Sequence, residues 1–501
     1  GMPRRLSDLP ACGPAWTHLL RLLAPADLLA FSAAAKEWST LMHGEGFFRL
    51  QCGQLFGLQQ CTPPCRQDGQ QAPGSNNGAC RSWLIAFVLW QLVASRLGYA
   101  VDAALYNRVS RAWRSLKAWL QQHELHHIRN SLNGPISSVD MSAGVDRYRG
   151  MPVAPGQAPA ANGDLPTDYK MALSFHDGQP RTKPEEIAQS AWPFVGLFGG
   201  YSAYNHLACV KLMSLDDALT LTAGLRERHQ TIFANSLFIA QCPFGHFPKA
   251  FVLNTVNGLV YVMDRKPGMA TRLTPAVPPG PHGFIRWLEE FVNRLRDGTY
   301  VAGQLVPGEE TSRGINIFPQ QGPDLAVAVT NGIEALASAV YMAEHVQYWA
   351  YSIRLRVLPP GHPQHVPAQQ RGFTEVQLQS RHWVLTDGNG QVREVRGRGV
   401  IGKHPVLCDE GFIDLPLSVE GGDPPLQSGY FVYQSCSGFM AGGHGTFTGD
   451  LLFVKRRLSD HEMEPQMTDD DDQDENNEES AGERVTVALG LVHFNVPQYI
   501  Y

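Results

Sequence analysis

Three short runs in this chain have residue types and spacings that suit chemistry. Gly397-Arg398-Gly399-Val400-Ile401-Gly402 spells GxGxxG, whose glycines let a helix N-terminus approach a pyrophosphate when a strand precedes and a helix follows. Lys403-His404-Pro405 comes next, and Pro405 obstructs a helix. The run is therefore read as a glycine-rich turn or bulge between strands, with Arg396, Arg398 and Lys403 beside it to hold a small anion. Arg396, Gly397, Arg398, Gly399, Gly402 and Lys403 form the candidate ligand- or target-binding turn.

His123-Glu124-Leu125-His126-His127 contains HExxH, in which two histidines one helical turn apart bind zinc and the glutamate acts as base. No third ligand is evident, and Gly134-Pro135 follows closely. The expected reading is a helix end with two histidines on its core face, since cations are favoured there without any metal. Cys61 and Cys65, with Cys52 and Cys80 nearby, have irregular spacing for a zinc site and are read as loop thiols. No GxSxG elbow or Walker loop occurs. Neither a catalytic residue, a metal nor a cofactor is expected.

The elements that must position these runs follow from periodicity. Short helices are expected over residues 6–56 and a helix over 82–97. Another is expected over about 104–128, where Val109, Trp113, Leu116, Leu120, His123 and His127 step by threes and fours along one face. Phe251 to Leu253 and Leu259 to Met263 flank an Asn254–Gly258 turn and predict a hairpin. Phe284, Trp287, Leu288, Phe291 and Leu295 predict an amphipathic helix that Asp297-Gly298 ends. From residue 313 onward, short strands dominate: 325–329, 351–357, 376–378, 383–385, 431–433, 451–454, 485–491 and 493–496. Asp387-Gly388-Asn389-Gly390 supplies the positive φ of a hairpin turn. This pattern implies a β-sandwich.

Composition bounds the rest. The chain has 501 residues, 43% hydrophobic and 18% charged, with 49 glycines and 35 prolines, which suits several domains and turn-rich β structure. The net charge of −6 conceals a local feature. Eleven acidic residues lie between Asp460 and Glu479 without a Lys or Arg, and the remainder sums to +5. That stretch, 460–480, is expected to be a solvated, disordered insert between two late strands. Nine cysteines, an odd number, suit reduced thiols and a cytoplasmic or nuclear location. The longest apolar run, Trp83 to Trp90, is about half of a membrane span, so no membrane partner is expected. Lys455-Arg456-Arg457 is too short a basic run to imply nucleic acid.

Three resemblances cover nearly the whole length. Leu9-Pro10, the segment His18 to Leu29, Ala35-Lys36-Glu37-Trp38 and Phe47-Phe48-Arg49 resemble an F-box. The resemblance implies docking of a Skp-type adaptor through Leu9, Pro10, Leu19, Leu22, Leu23, Pro25, Leu28 and Leu29. Leu165 to Tyr169, His176-Asp177-Gly178-Gln179 and the helix from Phe284 to Phe291 look like the SUKH (Smi/Knr-like) superfamily, mostly protein-interaction modules. Ser380-Arg381-His382-Trp383, Thr386 to Gly390, Glu394 to Gly397, Gly399 to Gly402 and Pro405-Val406-Leu407 resemble the ApaG domain, an immunoglobulin- or fibronectin-III-like all-β sandwich.

The order F-box, SUKH, ApaG is that of the F-box only protein 3 group and its plant Skp-interacting relatives. The expected fold is multidomain: a small α-helical F-box (1–56), a linker and helical region (57–104), an α+β SUKH domain (105–302), a linker (303–312) and an ApaG sandwich (313–501). The resemblance implies a non-catalytic substrate receptor of an SCF (Skp-cullin-F-box) E3 ubiquitin ligase. Its partners would be the Skp-type adaptor, the cullin-RING core and an unidentified target. The alternative is a nucleotide-, pyrophosphate- or small-anion-binding protein that uses the ApaG turn.

Overall fold

The computed structural model describes residues 45–64, 75–76, 79–80, 83–151, 163–182, 194–228, 232–242, 248–264, 270–415, 425–436, 444–455 and 483–501. Leu9, Pro10, Leu19, Leu22, Leu23, Pro25, Leu28 and Leu29, together with the 460–480 stretch and Cys65, lie outside these residues. Two compact units are present.

The first unit is helical apart from a two-residue strand pair, Ser75–Asn76 with Ala79–Cys80. Helix α1 (Glu45–Phe56) and α2 (Trp83–Leu97) meet through Phe48 and Phe87, with ring centroids 5.4 Å apart, and through Phe56 and Trp90, 6.1 Å apart. Trp90 is fully buried, and its indole N–H donates to the Thr62 carbonyl at 2.9 Å, so its one polar atom is satisfied. The ring chain continues from Trp90 to Tyr106 on α3 (Ala103–Gln122) and on to Phe175, at 5.5 and 5.1 Å.

The end of α3 differs from the sequence expectation of a helix to about 128. Leu125 N–H bonds to the Leu120 carbonyl at 2.9 Å and Glu124 N–H to Gln121 at 3.2 Å, with Glu124 at φ +58°. This pair of bonds is a Schellman cap, normally built on glycine. Leu120 and Leu125 are both fully buried, the apolar pairing that accompanies such a cap. A separate helix, α4 (His126–Asn130), follows. His123 and His127 therefore do not share one helix face as HExxH requires. Instead, His127 Nε2 lies 3.0 Å from the Arg313 carbonyl, and the Arg313 guanidinium donates to the His123 carbonyl.

Two more helices, α5 (Ser138–Arg149) and α6 (Thr167–Leu173), belong to the first unit. The second unit holds the end of α3, α4, α7 (Leu215–Arg228), α8 (Gly283–Arg296) and α9 (Ala368–Arg371) with four sheets. Strands β1 (Gly200–Ala203) and β2 (His206–Cys209) form a hairpin. Next in the chain come β3 (Lys211–Leu212), β4 (Ser236–Gln241), β5 (Ala250–Asn254), β6 (Val260–Asp264) and β7 (Arg272–Pro275), an antiparallel meander in sequence order. The β5–β6 turn is the expected one: the Asn254 side chain accepts from the Val256 and Asn257 amides, and Gly258 takes φ +70°. Strands β8 (Val301–Gln304) and β9 (Arg313–Asn316) extend the β1–β2 sheet in the order β8-β9-β1-β2.

Helix α8 buries Phe284, Trp287, Leu288, Phe291, Val292 and Leu295, the stripe that a 3.6-residue period predicts. Trp287 stacks near Phe198 (4.1 Å), Phe251 (5.1 Å) and Tyr501 (5.5 Å), and its indole N–H donates to the Ile500 carbonyl at 2.8 Å. Gln179 is a polar hub in the same unit. Its amide donates to the Val195 carbonyl and Ser131 Oγ, and its oxygen accepts from the Leu197 and Leu212 amides.

The sandwich has one sheet of β10 (Leu325–Thr330), β11 (Ile333–Tyr341), β12 (Trp349–Val357) and β17 (Phe431–Cys436), in the order β10-β11-β12-β17. The second contains β13 (Val376–Asp387), β14 (Val392–Arg398), β15 (Val406–Cys408), β16 (Gly411–Ile413), β18 (Gly445–Val454) and β19 (Arg484–Phe494), ordered β16-β15-β13-β18-β19 with β14 also on β13. Two pairs of expected strands merge. Residues 376–378 and 383–385 are one strand with an irregularity between Leu378 and Ser380, and 485–491 joins 493–494 in β19. Arg371 is buried and clamped by Asp409 through two bonds of 2.7 and 2.9 Å, the bidentate geometry that suits guanidinium.

A buried polar cluster lies between β1, β2 and the chain that follows β11. The Tyr201 hydroxyl and His206 Nε2 both engage Glu344 Oε1, the latter at 3.0 Å, and Lys249 Nζ lies 3.9 Å from Glu344 Oε2. Lys249 also donates to the Tyr201 hydroxyl and the Tyr341 carbonyl, each at 3.4 Å. None of the four is more than 5% exposed. Burial alone would raise the Glu344 carboxyl, but Lys249 and the hydrogen bonds hold it down at about 2, while burial lowers Lys249.

Candidate functional site

The site is built on the β13–β14 hairpin. Its register sets Arg381 opposite Gly397, Trp383 opposite Val395 and Leu385 opposite Arg393. Alternation then puts Arg381, Trp383, Leu385, Arg393 and Val395 on one face and His382, Glu394 and Arg396 on the other. The first face turns toward the opposing sheet, where Tyr351 of β12 and Tyr433 and Ser435 of β17 project; β18 adds Phe447. Between them lies a cavity of about 150 Å³, with Tyr204, Ile401 and Cys436 completing its wall.

Burial pushes the Tyr351 phenol up to about 12, the Tyr433 phenol well above its ordinary value and the Cys436 thiol up to about 11. At neutral pH all three keep their protons, so none is an activated nucleophile. Trp383 Nε1 and the Tyr433 hydroxyl are buried without a hydrogen-bond partner among the described residues. Two guanidinium groups, of Arg381 and Arg393, add positive charge.

Arg381 also shapes the glycine-rich turn. Its Nη1 donates to the Arg398 and Gly399 carbonyls at 3.2 and 2.8 Å. A Cβ on Gly397 would meet this guanidinium at 2.9 Å, and one on Gly399, at φ +54°, would lie 2.5 Å from the Lys403 carbonyl. These glycines thus admit an arginine and a tight reversal. Ile401 and Gly402 also have positive φ, and Val400 and Lys403 pair across the turn. No helix follows; the chain passes into β15, so the βαβ setting of a dinucleotide site has no counterpart here. Gly399→Ala is expected to destabilise the protein by about 1–3 kcal/mol, read as a lower urea midpoint; an unchanged midpoint would contradict this account.

Of the residues singled out from the sequence, Arg396, Gly397 and Arg398 lie on β14, while Gly399, Gly402 and Lys403 lie in the turn after it. Lys403 is engaged by Asp414 at 2.5 Å, and Arg396 pairs with Glu394 at 3.1 Å. On the outer face, His382 stands between Glu394 (3.0 Å) and Asp450 (3.2 Å). Among the described residues no group of His, Cys, Asp and Glu could hold a metal ion. Cys52 sits in α1 with its thiol 3.7 Å from the Trp83 carbonyl, while Cys61 is half-buried in the loop beyond. Sequence reasoning missed Arg381, Arg393, Tyr351 and Tyr433 as site residues. The inward alternation of Arg381, Trp383 and Leu385 was the available signal.

The hairpin and turn fall within a family match. The family model described as the ApaG domain, DUF525, matches residues 339–412. Protein ApaG of Azorhizobium caulinodans is 36% identical over 114 residues, spanning 21% of this chain and 75% of that protein. The chain belongs to the ApaG family. The ApaG match takes in Tyr351, Arg381, Trp383, Arg393 and Ile401 but stops before Tyr433 and Phe447, so only part of the cavity wall lies inside it.

Likeness extends well beyond the ApaG segment. F-box protein SKIP16 of Arabidopsis thaliana is 26% identical over 475 residues, covering 88% of this chain and 92% of that protein. F-box only protein 3 of Mus musculus is 23% identical over 310 residues, covering 60% of this chain and 55% of that protein.

Proposed function

We propose that this chain is the substrate-recognition subunit of an SCF-type cullin-RING ubiquitin ligase. The observation that carries the reading is the near full-length similarity to an F-box protein, SKIP16, joined to an ApaG sandwich. Residues 1–56 act as the F-box, docking a Skp-type adaptor through Leu9, Pro10, Leu19, Leu22, Leu23, Pro25, Leu28 and Leu29. The SUKH-like α+β region and the sandwich present the target, with the Arg396–Lys403 turn and the adjacent cavity as its contact.

The mechanism is proximity. A receptor that holds a target near a charged conjugating enzyme raises the effective concentration of the target lysines and contributes no acid, base or nucleophile of its own. The high phenol and thiol pKa values of the cavity support this non-catalytic role. No described helix is long and apolar enough to cross a membrane, and the proposed workplace is the cytoplasm or nucleus.

The test is co-purification of the full chain with a Skp-type adaptor. The wild-type chain is expected to retain the adaptor, and Leu28→Asp with Leu29→Asp to weaken it at least about 100-fold, because two charges would enter an apolar contact. Failure of the wild-type chain to bind, or equal binding by the variant, would refute the assignment.

A further inference from the structure

We infer that the outer edge of β14 (Val392–Arg398) seats an extended, acidic segment of a target protein, which adds to the sandwich as a further strand. The inference rests on the target-presenting role proposed above and names the partner chemistry of that surface.

The edge is open. Among the described residues β14 pairs with β13 alone. Two bonds bracket their ladder: Asp387 N–H to the Gln391 carbonyl at 3.0 Å and Gly399 N–H to the Gln379 carbonyl at 2.8 Å. With antiparallel alternation, these bonds turn the backbone groups of Gln391, Arg393, Val395, Gly397 and Gly399 toward β13. Those of Val392, Glu394 and Arg396 point away from it; at the end of the strand the Arg398 carbonyl already accepts from Arg381. The result is a row of N–H and C=O groups spaced to accept another strand.

Charge then selects the occupant. The strand carries Arg393, Arg396 and Arg398 against one acid, Glu394, which His382 and Arg396 already occupy. A second copy of β14 laid along this edge would set arginines against arginines. An acidic segment meets the complementary sign, and its backbone supplies the ladder without regard to sequence. Specificity comes from the pleat. Arg393 and Val395 line the cavity beside Arg381, Tyr351 and Tyr433, so every second side chain of an added strand lies on the cavity side of the sheet.

The experiment is a fluorescence anisotropy titration of the full chain with labelled nine-residue peptides. The probe alternates glutamate and valine; controls are its lysine–valine counterpart and the same acidic peptide N-methylated on alternate residues. The acidic probe is expected to bind saturably and at least about tenfold more tightly than the lysine peptide. N-methylation should weaken it at least about tenfold at unchanged charge, because the donors of one strand edge are removed. Val392→Pro, which deletes an outward N–H, and Arg396→Glu with Arg398→Glu should each weaken the acidic probe to a similar extent.

Equal binding of the methylated and parent peptides would overturn strand addition, since charge alone would then explain the affinity. Absence of saturable binding would overturn it as well. The peptide controls keep this test intact if a protein variant misfolds. Adaptor co-purification reads residues 1–56 independently: adaptor binding kept with peptide binding lost overturns the strand seat alone, and the converse overturns the ligase assignment alone.

Discussion

Replacing Glu344 by alanine is expected to destabilise the protein by about 3–5 kcal/mol, the range seen when one member of a buried ion pair is removed. Lys249 would be left as a cation with no exposed surface, and the Tyr201 hydroxyl and His206 imidazole would lose their shared acceptor. The pair is not thereby worth that much, because desolvation offsets most of its attraction. Replacing both charges, Glu344→Leu with Lys249→Met, should recover much of the loss. A double-mutant cycle in urea measures this directly, and a single alanine variant within about 1 kcal/mol of wild type would contradict the role assigned to Glu344.

The cluster also sets an acid limit. Glu344 is held near 2 in the folded chain, below its ordinary value of 4.5, so the folded state resists its protonation. Its contribution is fully present above about pH 4.5 and fades as pH falls toward 2. Unfolding midpoints across that window should drop less steeply in the double variant than in wild type.

The second large effect is expected at Trp287. Its ring is fully buried among Phe198, Phe251 and Tyr501, and its indole N–H holds the Ile500 carbonyl, while the Tyr501 hydroxyl donates to the Trp287 carbonyl at 2.8 Å. The chain leaving β19 is thus fastened to α8. Arg294, about two turns further along α8, reinforces the attachment from 5.6 Å above the Tyr501 ring and donates to the Tyr300 hydroxyl. Trp287→Ala removes the ring and orphans a buried acceptor, with an expected loss of about 3–5 kcal/mol. Trp287→Phe should keep part of the packing and lose the bond. Equilibrium denaturation of both variants checks the order; equal stability of Trp287→Phe and wild type would show that the Ile500 bond contributes nothing.

Much of the fold was legible where side chains obey one period. The α8 stripe, the Asn254–Gly258 turn and the Asp387–Gly390 turn each follow from local chemistry, and the structure has them. β11 was not legible. Its sequence, Ile-Glu-Ala-Leu-Ala-Ser-Ala-Val-Tyr, is rich in alanine, which is depleted in strands. Yet Ala335 and Ala337 are fully buried, in a strand flanked by β10 and β12. The end of α3 was hidden for another reason: Glu124 holds a left-handed conformation usually left to glycine, and the burial of Leu125 accompanies it.

The site shows the same division. The glycines at 397, 399 and 402 announced a tight turn, and a turn is there. What they make room for could not be read, because Arg381 reaches them from the neighbouring strand and Asp414 reaches Lys403 from beyond β16. The cavity assembles side chains of β12, β13, β14, β17 and β18, and their juxtaposition depends on sheet order rather than on any local run.

One consequence concerns polymer length. β18 and β19 are adjacent antiparallel strands, and Lys455 and Glu483 close their open end with both a backbone and a side-chain bond. About thirty residues of sequence join them, yet the entropy of closing such a connection grows only with the logarithm of its length, by about 0.6 kcal/mol per doubling. On that term alone, a severalfold change in the length of the connecting sequence is expected to cost the β18–β19 pairing only about 1–2 kcal/mol. That junction is the natural place to splice a tag, a reporter or a foreign domain into this chain.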